Sequence, residues 1–146
     1  MAKLQIGWSN DYSLGLDDVD IQHQSLFIII NKTWKAIAEQ SDCQQILLLV
    51  DELETYTRAH FDAEEAFMRE SGFPEIDEHA TSHQRFIARI TAERVAVLAG
   101  RALSLDSTYF LRCWLVDHIL VADKSYADFT RRNGMGSVLR RFFRRF

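Results

Sequence analysis

The stretch LETYTRAHFDAEEAFM, residues 53–68, decides the fold. Its side chains Leu53, Tyr56, His60, Phe67 and Met68 return every three or four positions, the period of an α-helix with one buried face. His60 and Glu64 stand one turn apart, so a helix carries this imidazole and this carboxylate on the same side. The period extends back through Ile46, Leu49 and Val50 and predicts a helix over 42–70, stopped by Gly72 and Pro74.

Three more segments carry the same period. One covers 20–40, with Asp20 as its N-cap and Leu26, Phe27, Ile30, Trp34, Ile37 and Ala38 on its apolar side. Another covers 76–99 and ends at Gly100; the last covers 105–132 and ends at Asn133-Gly134. A single proline and six glycines leave little room for the turns of a β architecture. Four long helices with short connections predict an all-α, antiparallel up-down-up-down four-helix bundle over residues 1–132. Residues 1–18 form a non-helical arm that Trp8 pins to the bundle, and 133–146 form a basic-aromatic tail.

A chain of 146 residues suits one core, and 47% hydrophobic with 26% charged residues is ordinary for a globular protein. A net charge of −4 gives no reason to expect a nucleic-acid partner. The amino terminus lacks the pattern of a secretory signal, and the apolar runs 26–30 and 46–50 are too short to span a bilayer. Cys43 and Cys113 do not form a disulfide framework; they read as reduced thiols packed like small hydrophobes in a cytoplasmic protein.

All five histidines fall into one constellation: His23, His60-x3-Glu64, His79-x3-His83 and His118-x4-Asp123, each group on its own predicted helix. Any one of these is ordinarily a solvated or core histidine. Together they form a ligand set of five imidazoles and two carboxylates. His79 and His83 share a face and can grip one ion, while Glu64 can reach between two. His118 and Asp123 are five apart, which on a regular helix leaves them roughly 140° apart. They are therefore expected to reach the site from two sides. No cysteine joins the set, which argues against iron–sulfur clusters and structural zinc. Seven ligands are too many for one tetrahedral zinc, and the mixture suits iron, with zinc or manganese as alternatives.

These residues resemble those of the hemerythrin family, and specifically its single-domain bacterial members. The resemblance covers residues 8–130. It is carried by Trp8 with Gly15; Asp20-Ile21-Gln22-His23 and Leu26-Phe27; His60-Phe61-Asp62-Ala63-Glu64-Glu65 and Met68; Phe73-Pro74, His79, His83 and Phe86; and Trp114-Leu115, His118-Ile119, Asp123 and Tyr126. It implies two iron ions, working between Fe2+ and Fe3+, joined by an oxo or hydroxo bridge. His79, His83 and His118 would hold one iron and His23 and His60 the other, with Glu64 and Asp123 bridging. The second iron then has one open position, where dioxygen binds.

Leu26, Phe61, Trp114, Leu115 and Ile119 each lie within a turn of a candidate ligand and are expected to wall the oxygen pocket; in any bundle they would also be core. Tyr126 is expected either to hydrogen-bond a bridging group or to reach water at the bundle end. Glu65 and Asp62 are expected to be solvated. The resemblance implies reversible oxygen storage, transport or delivery with no catalytic turnover, and the chain is expected to be a monomer. The alternatives are a di-iron enzyme acting on peroxide or nitric oxide, and an oxygen or iron sensor working through a partner. The five-histidine set is less anionic than the four carboxylates of ferritin-like oxidases, which favours reversible binding. The tail from Ser137 carries Arg140, Arg141, Arg144 and Arg145 among Phe142, Phe143 and Phe146. It can meet a protein or an anionic membrane, or simply fold against the bundle.

Overall fold

The computed structural model describes residues 7–101 and 103–143; Arg144, Arg145 and Phe146 of the tail and the first six residues of the arm lie outside the described residues. The helices are α1 (Asp17–Ala38), α2 (Cys43–Ser71), α3 (Ile76–Leu98), α4 (Leu105–Asp117), α5 (Lys124–Arg132) and α6 (Gly136–Phe143). A π-helical segment, His118–Asp123, joins α4 to α5, so the fourth rod of the bundle is continuous. The bundle is antiparallel and up-down-up-down. α1 packs on α2 and α4, α2 on α3, and α3 on α4, which closes the ring of four.

Local chemistry sets the helix ends. Asp42 and Ser104 cap α2 and α4 by accepting from the backbone N–H of Gln45 at 2.8 Å and of Ser107 at 3.2 Å. Gly72, at φ 71°, ends α2 in the left-handed region, and Phe73 N–H returns to the Met68 carbonyl at 3.0 Å. The chain then turns through Pro74 into α3.

The start of α1 differs from expectation. The helix begins at Asp17, so Asp20 lies inside it and is not its N-cap. Asp20 is buried, and its carboxylate accepts from the Ser13 hydroxyl at 2.6 Å and the Leu14 backbone N–H at 2.9 Å. It caps the incoming arm, not its own helix. Trp8 and Tyr12 pack on Phe27 at ring distances of 5.7 and 5.5 Å, which pins the arm as predicted. Gly15, at φ 72°, crosses under Arg131, whose Nη2 would lie 3.0 Å from any added Cβ and donates to the Leu14 carbonyl. Cys43 and Cys113 are free, as expected, but Cys43 is exposed and not packed as a small hydrophobe.

Part of the basic-aromatic tail is α6, folded against the bundle. Leu139 and Phe143, one turn apart, are buried, while Arg140 and Arg141 face outward. Phe142 packs on Phe67 at 5.4 Å, and Arg140 donates to the Gly15 carbonyl at 3.1 Å. The helix therefore closes the side of the bundle where the arm enters. Phe143→Ala should lower the unfolding free energy by about 3 kcal/mol, the low end for a core aromatic because a terminal helix can relax. Arg141→Ala should leave it unchanged. Equal denaturation midpoints for the two variants would mean that α6 does not dock in solution.

Candidate metal centre

Seven side chains converge inside the bundle, all of them buried: His23 from α1, His60 and Glu64 from α2, His79 and His83 from α3, and His118 and Asp123 from the π-helical segment. His60 with Glu64, and His79 with His83, share a helix face as their spacing predicts, and His23 enters from α1. The last pair does not approach from two sides. Hydrogen bonds in a π-helix run from i to i+5, so residues five apart come into line. His118 Nε2 lies 3.2 Å from Asp123 Oδ1. The local widening of the helix turns an unfavourable spacing into a shared face.

The cluster has two halves. In one, His118 Nε2 lies 3.0 Å from His83 Nε2 and 3.1 Å from His79 Nε2. Glu64 Oε1 faces this half, at 2.7 Å from His79 Nε2 and 3.3 Å from His83 Nε2. Asp123 Oδ1 does the same, 3.1 Å from His79 Nε2. The other half holds His23 and His60. Here Glu64 Oε2 lies 3.4 Å from His60 Nε2, and Asp123 Oδ2 lies 3.3 Å from His23 Nε2. Each carboxylate thus gives one oxygen to each half. Ligand atoms of Glu64, His79, His83, His118 and Asp123 fall within 4.8 Å of one another, as do those of His23, His60 and Glu64.

The opposite ring nitrogens show which atoms are free to bind. His60 Nδ1–H donates to the Gln22 amide oxygen at 2.5 Å, and His83 Nδ1–H donates to Glu65 Oε2 at 2.9 Å. Both acceptors can only accept here, so these rings carry their proton on Nδ1 and present a bare Nε2 to the cluster. His118 Nδ1 lies 3.3 Å from the Ser82 hydroxyl. Both nitrogens of His23 are buried; Nε2 faces Asp123 Oδ2, and Nδ1 has no hydrogen-bond partner among the described residues. Lone pairs and anionic oxygens converging at these distances repel unless cations stand among them. The donor set fits metal ions.

Electrostatics lead to the same conclusion. Burial pushes the Glu64 and Asp123 carboxyls up, but the facing imidazoles outweigh it and hold both well below the usual carboxylate range. Two buried anions need positive charge beside them. Without a metal, His79 supplies some: burial opposes its charge, yet hydrogen bonds to Asp123 and Glu64 raise its pKa to about 10, and a bound cation would take the place of that proton. At His60 burial wins over Glu64, and its pKa falls.

Three neighbours escaped the sequence reading. Glu65 is buried against His83, not solvated; Asp62 is exposed as expected. Gln22 and Ser82 sit beside candidate ligands in sequence, but each serves a histidine on a different helix. Periodicity shows which face a residue takes, not which ring it meets across the interface.

Leu26, Phe61, Leu115 and Ile119 are buried, and Trp114 is half-buried. Phe61 stacks on His83 at 3.7 Å and Trp114 on His118 at 4.4 Å, so these two rings brace the three-histidine half. A cavity of about 430 Å³ borders His60, walled by Gln22, Tyr56, Ala59 and Phe143 among others. Tyr126 does not reach water. Its hydroxyl is buried, and burial raises its pKa. It lines a cavity of about 10 Å³ together with Glu64, Asp123, Leu139 and Phe143.

Comparison with known proteins agrees with this geometry. Residues 14–129 match the family model of the hemerythrin HHE cation binding domain. A bacteriohemerythrin of Stenotrophomonas maltophilia is 32% identical, covering 95% of each chain. A myohemerythrin of Riftia pachyptila is 28% identical, over 82% of this chain and 88% of its own. A solved wild-type hemerythrin superposes with a TM-score of 0.79 at 27% identity, over 84% of this chain and 95% of its own. The chain belongs to the hemerythrin family of HHE cation-binding domains.

Proposed function

We propose that this chain binds dioxygen reversibly at a non-haem di-iron centre held by His23, His60, Glu64, His79, His83, His118 and Asp123. The observation that carries the reading is the placement of Glu64 and Asp123, each with one oxygen toward three histidines and the other toward two. His79, His83 and His118 would hold one ion and His23 and His60 the other, with Glu64 and Asp123 facing both and an oxo or hydroxo group completing the centre. The position left open lies in the half formed by His23 and His60. Iron held by these seven residues would supply the two electrons that dioxygen takes up on binding and returns on release.

The chain's own residues do the rest. Glu64 and Asp123, with one oxygen toward each half, would hold an ion on either side. Gln22 and Glu65 hold the His60 and His83 rings with Nε2 inward. Leu26, Phe61, Trp114, Leu115 and Ile119 exclude water and outside proton donors from the site. Tyr126 shares its small cavity with both carboxylates, and the space suits about one water, which would link the hydroxyl to them. Five imidazoles and two carboxylates leave the centre less anionic than an oxidase site, so the role is oxygen storage, transport or delivery and not catalysis. No helix among the described residues is long and apolar enough to cross a membrane. A cytoplasmic, monomeric carrier is the simplest setting.

Two measurements test this reading. Metal analysis of the native protein should give two irons per chain, with loading lost in acid because protons compete for the imidazole lone pairs. One tightly held zinc and no iron would contradict it. Leu115→Ala should keep both irons, cost about 2–5 kcal/mol of stability and speed air oxidation of the ferrous protein, because the cavity admits water. His60→Ala should lose iron from the two-histidine half. An unchanged oxidation rate in Leu115→Ala and in Ile119→Ala would remove these residues from the wall.

A further inference from the structure

We propose that Glu65 and Gln22 are positioning residues that make the two halves of the centre electronically unequal; this rests on the di-iron reading above. Both stand behind a candidate ligand and accept its Nδ1–H, at 2.9 Å from His83 and 2.5 Å from His60. Both are buried, Glu65 with 8% and Gln22 with 6% of its surface exposed. They fix their rings alike, but one acceptor is an anion and the other a neutral amide.

That difference reaches the metal through the ring. A carboxylate draws the Nδ1 proton toward itself and leaves Nε2 more basic, so His83 becomes a stronger donor. An amide orients His60 without this charge. Arg69 does little to cancel the effect. Its side chain is 63% exposed and meets Glu65 through Oε1 at 3.5 Å, while Oε2 faces His83. Among the described residues, the outer nitrogen of His118 has only the Ser82 hydroxyl at 3.3 Å, and the outer nitrogen of His23, Nδ1, has no partner. Among the described residues, a carboxylate bonded to the outer nitrogen of a ring is therefore found only in the three-histidine half; Asp20 acts on His23 through space alone. That half is biased toward Fe3+. The half with the open position keeps a weaker donor set, so its iron returns to Fe2+ more readily when dioxygen leaves.

The test uses iron-loaded protein and three variants. Glu65→Gln keeps an acceptor for His83 and removes the charge. Gln22→Glu adds the charge behind His60. Glu65→Asp keeps the charge and serves as the rescue. The readouts are the midpoint potential of the iron, iron retention against a chelator, and thermal unfolding of the iron-free chain. Glu65→Gln should raise the potential and weaken retention of one iron by about 10- to 100-fold. Gln22→Glu should lower the potential. Glu65→Asp should stay near wild type, and unfolding should shift little in any of them. If Gln22→Glu does not fold, Gln22→Leu replaces it and should loosen one iron and not the other. Variants that lower the unfolding temperature but leave potential and retention at wild-type values would show a merely structural role and overturn this inference alone. Wild-type protein that does not hold two irons would overturn the di-iron reading with it.

Discussion

Glu64 and Asp123 are two carboxylates buried in one cluster, and the surrounding structure answers their charge. An ionised carboxylate away from water is costly unless it is paired and hydrogen-bonded. Here five imidazoles from four rods of the bundle surround the pair, with each carboxylate divided between the halves. The arrangement constrains helix register. A shift of one residue in α2 would turn Glu64 about 100° away and bring Glu65 or Ala63 in its place. The requirement also extends outward, since Gln22, Glu65 and Ser82 lie behind the rings and Phe61 and Trp114 stack on their faces.

Much of this could be read from the sequence because helices and ligand pairs share a period. Apolar positions three and four apart located α2 and its neighbours, and the same spacing put His60 over Glu64 and His79 over His83. The i, i+5 pair escaped that logic. His118 and Asp123 meet only because the helix widens to a π turn between them. The sequence offers one clue, a ligand spacing that a regular helix cannot use. Asp20 escaped for another reason: an aspartate near a helix start reads as its cap, but this one caps the arm seven residues back. Glu65 looked solvated beside Glu64 because a residue 100° away usually is. α2 instead lies between α1 and α3, so a wide face of it is buried.

The tail shows how packing decides between readings that composition leaves open. Four arginines among three phenylalanines fit a binding surface as well as a docked helix. In the structure the one-turn spacing of Leu139 and Phe143 buries both, and Phe143 comes within 6.1 Å of the His60 ring centre. α6 thus forms part of the cover over the two-histidine half and over the small cavity beside Glu64 and Asp123. The arm and α6 meet there through Gly15, Arg131 and Arg140, which ties both ends of the described chain to the site.

The central claim is that Glu64 and Asp123 join two iron ions in unequal halves. Diffraction from a crystal of the iron-loaded protein, collected at the iron absorption edge, tests it most directly. Two anomalous peaks are expected, both within bonding distance of Glu64 and of Asp123, one beside His79, His83 and His118 and the other beside His23 and His60. A single peak, or two peaks that share neither carboxylate, would contradict it.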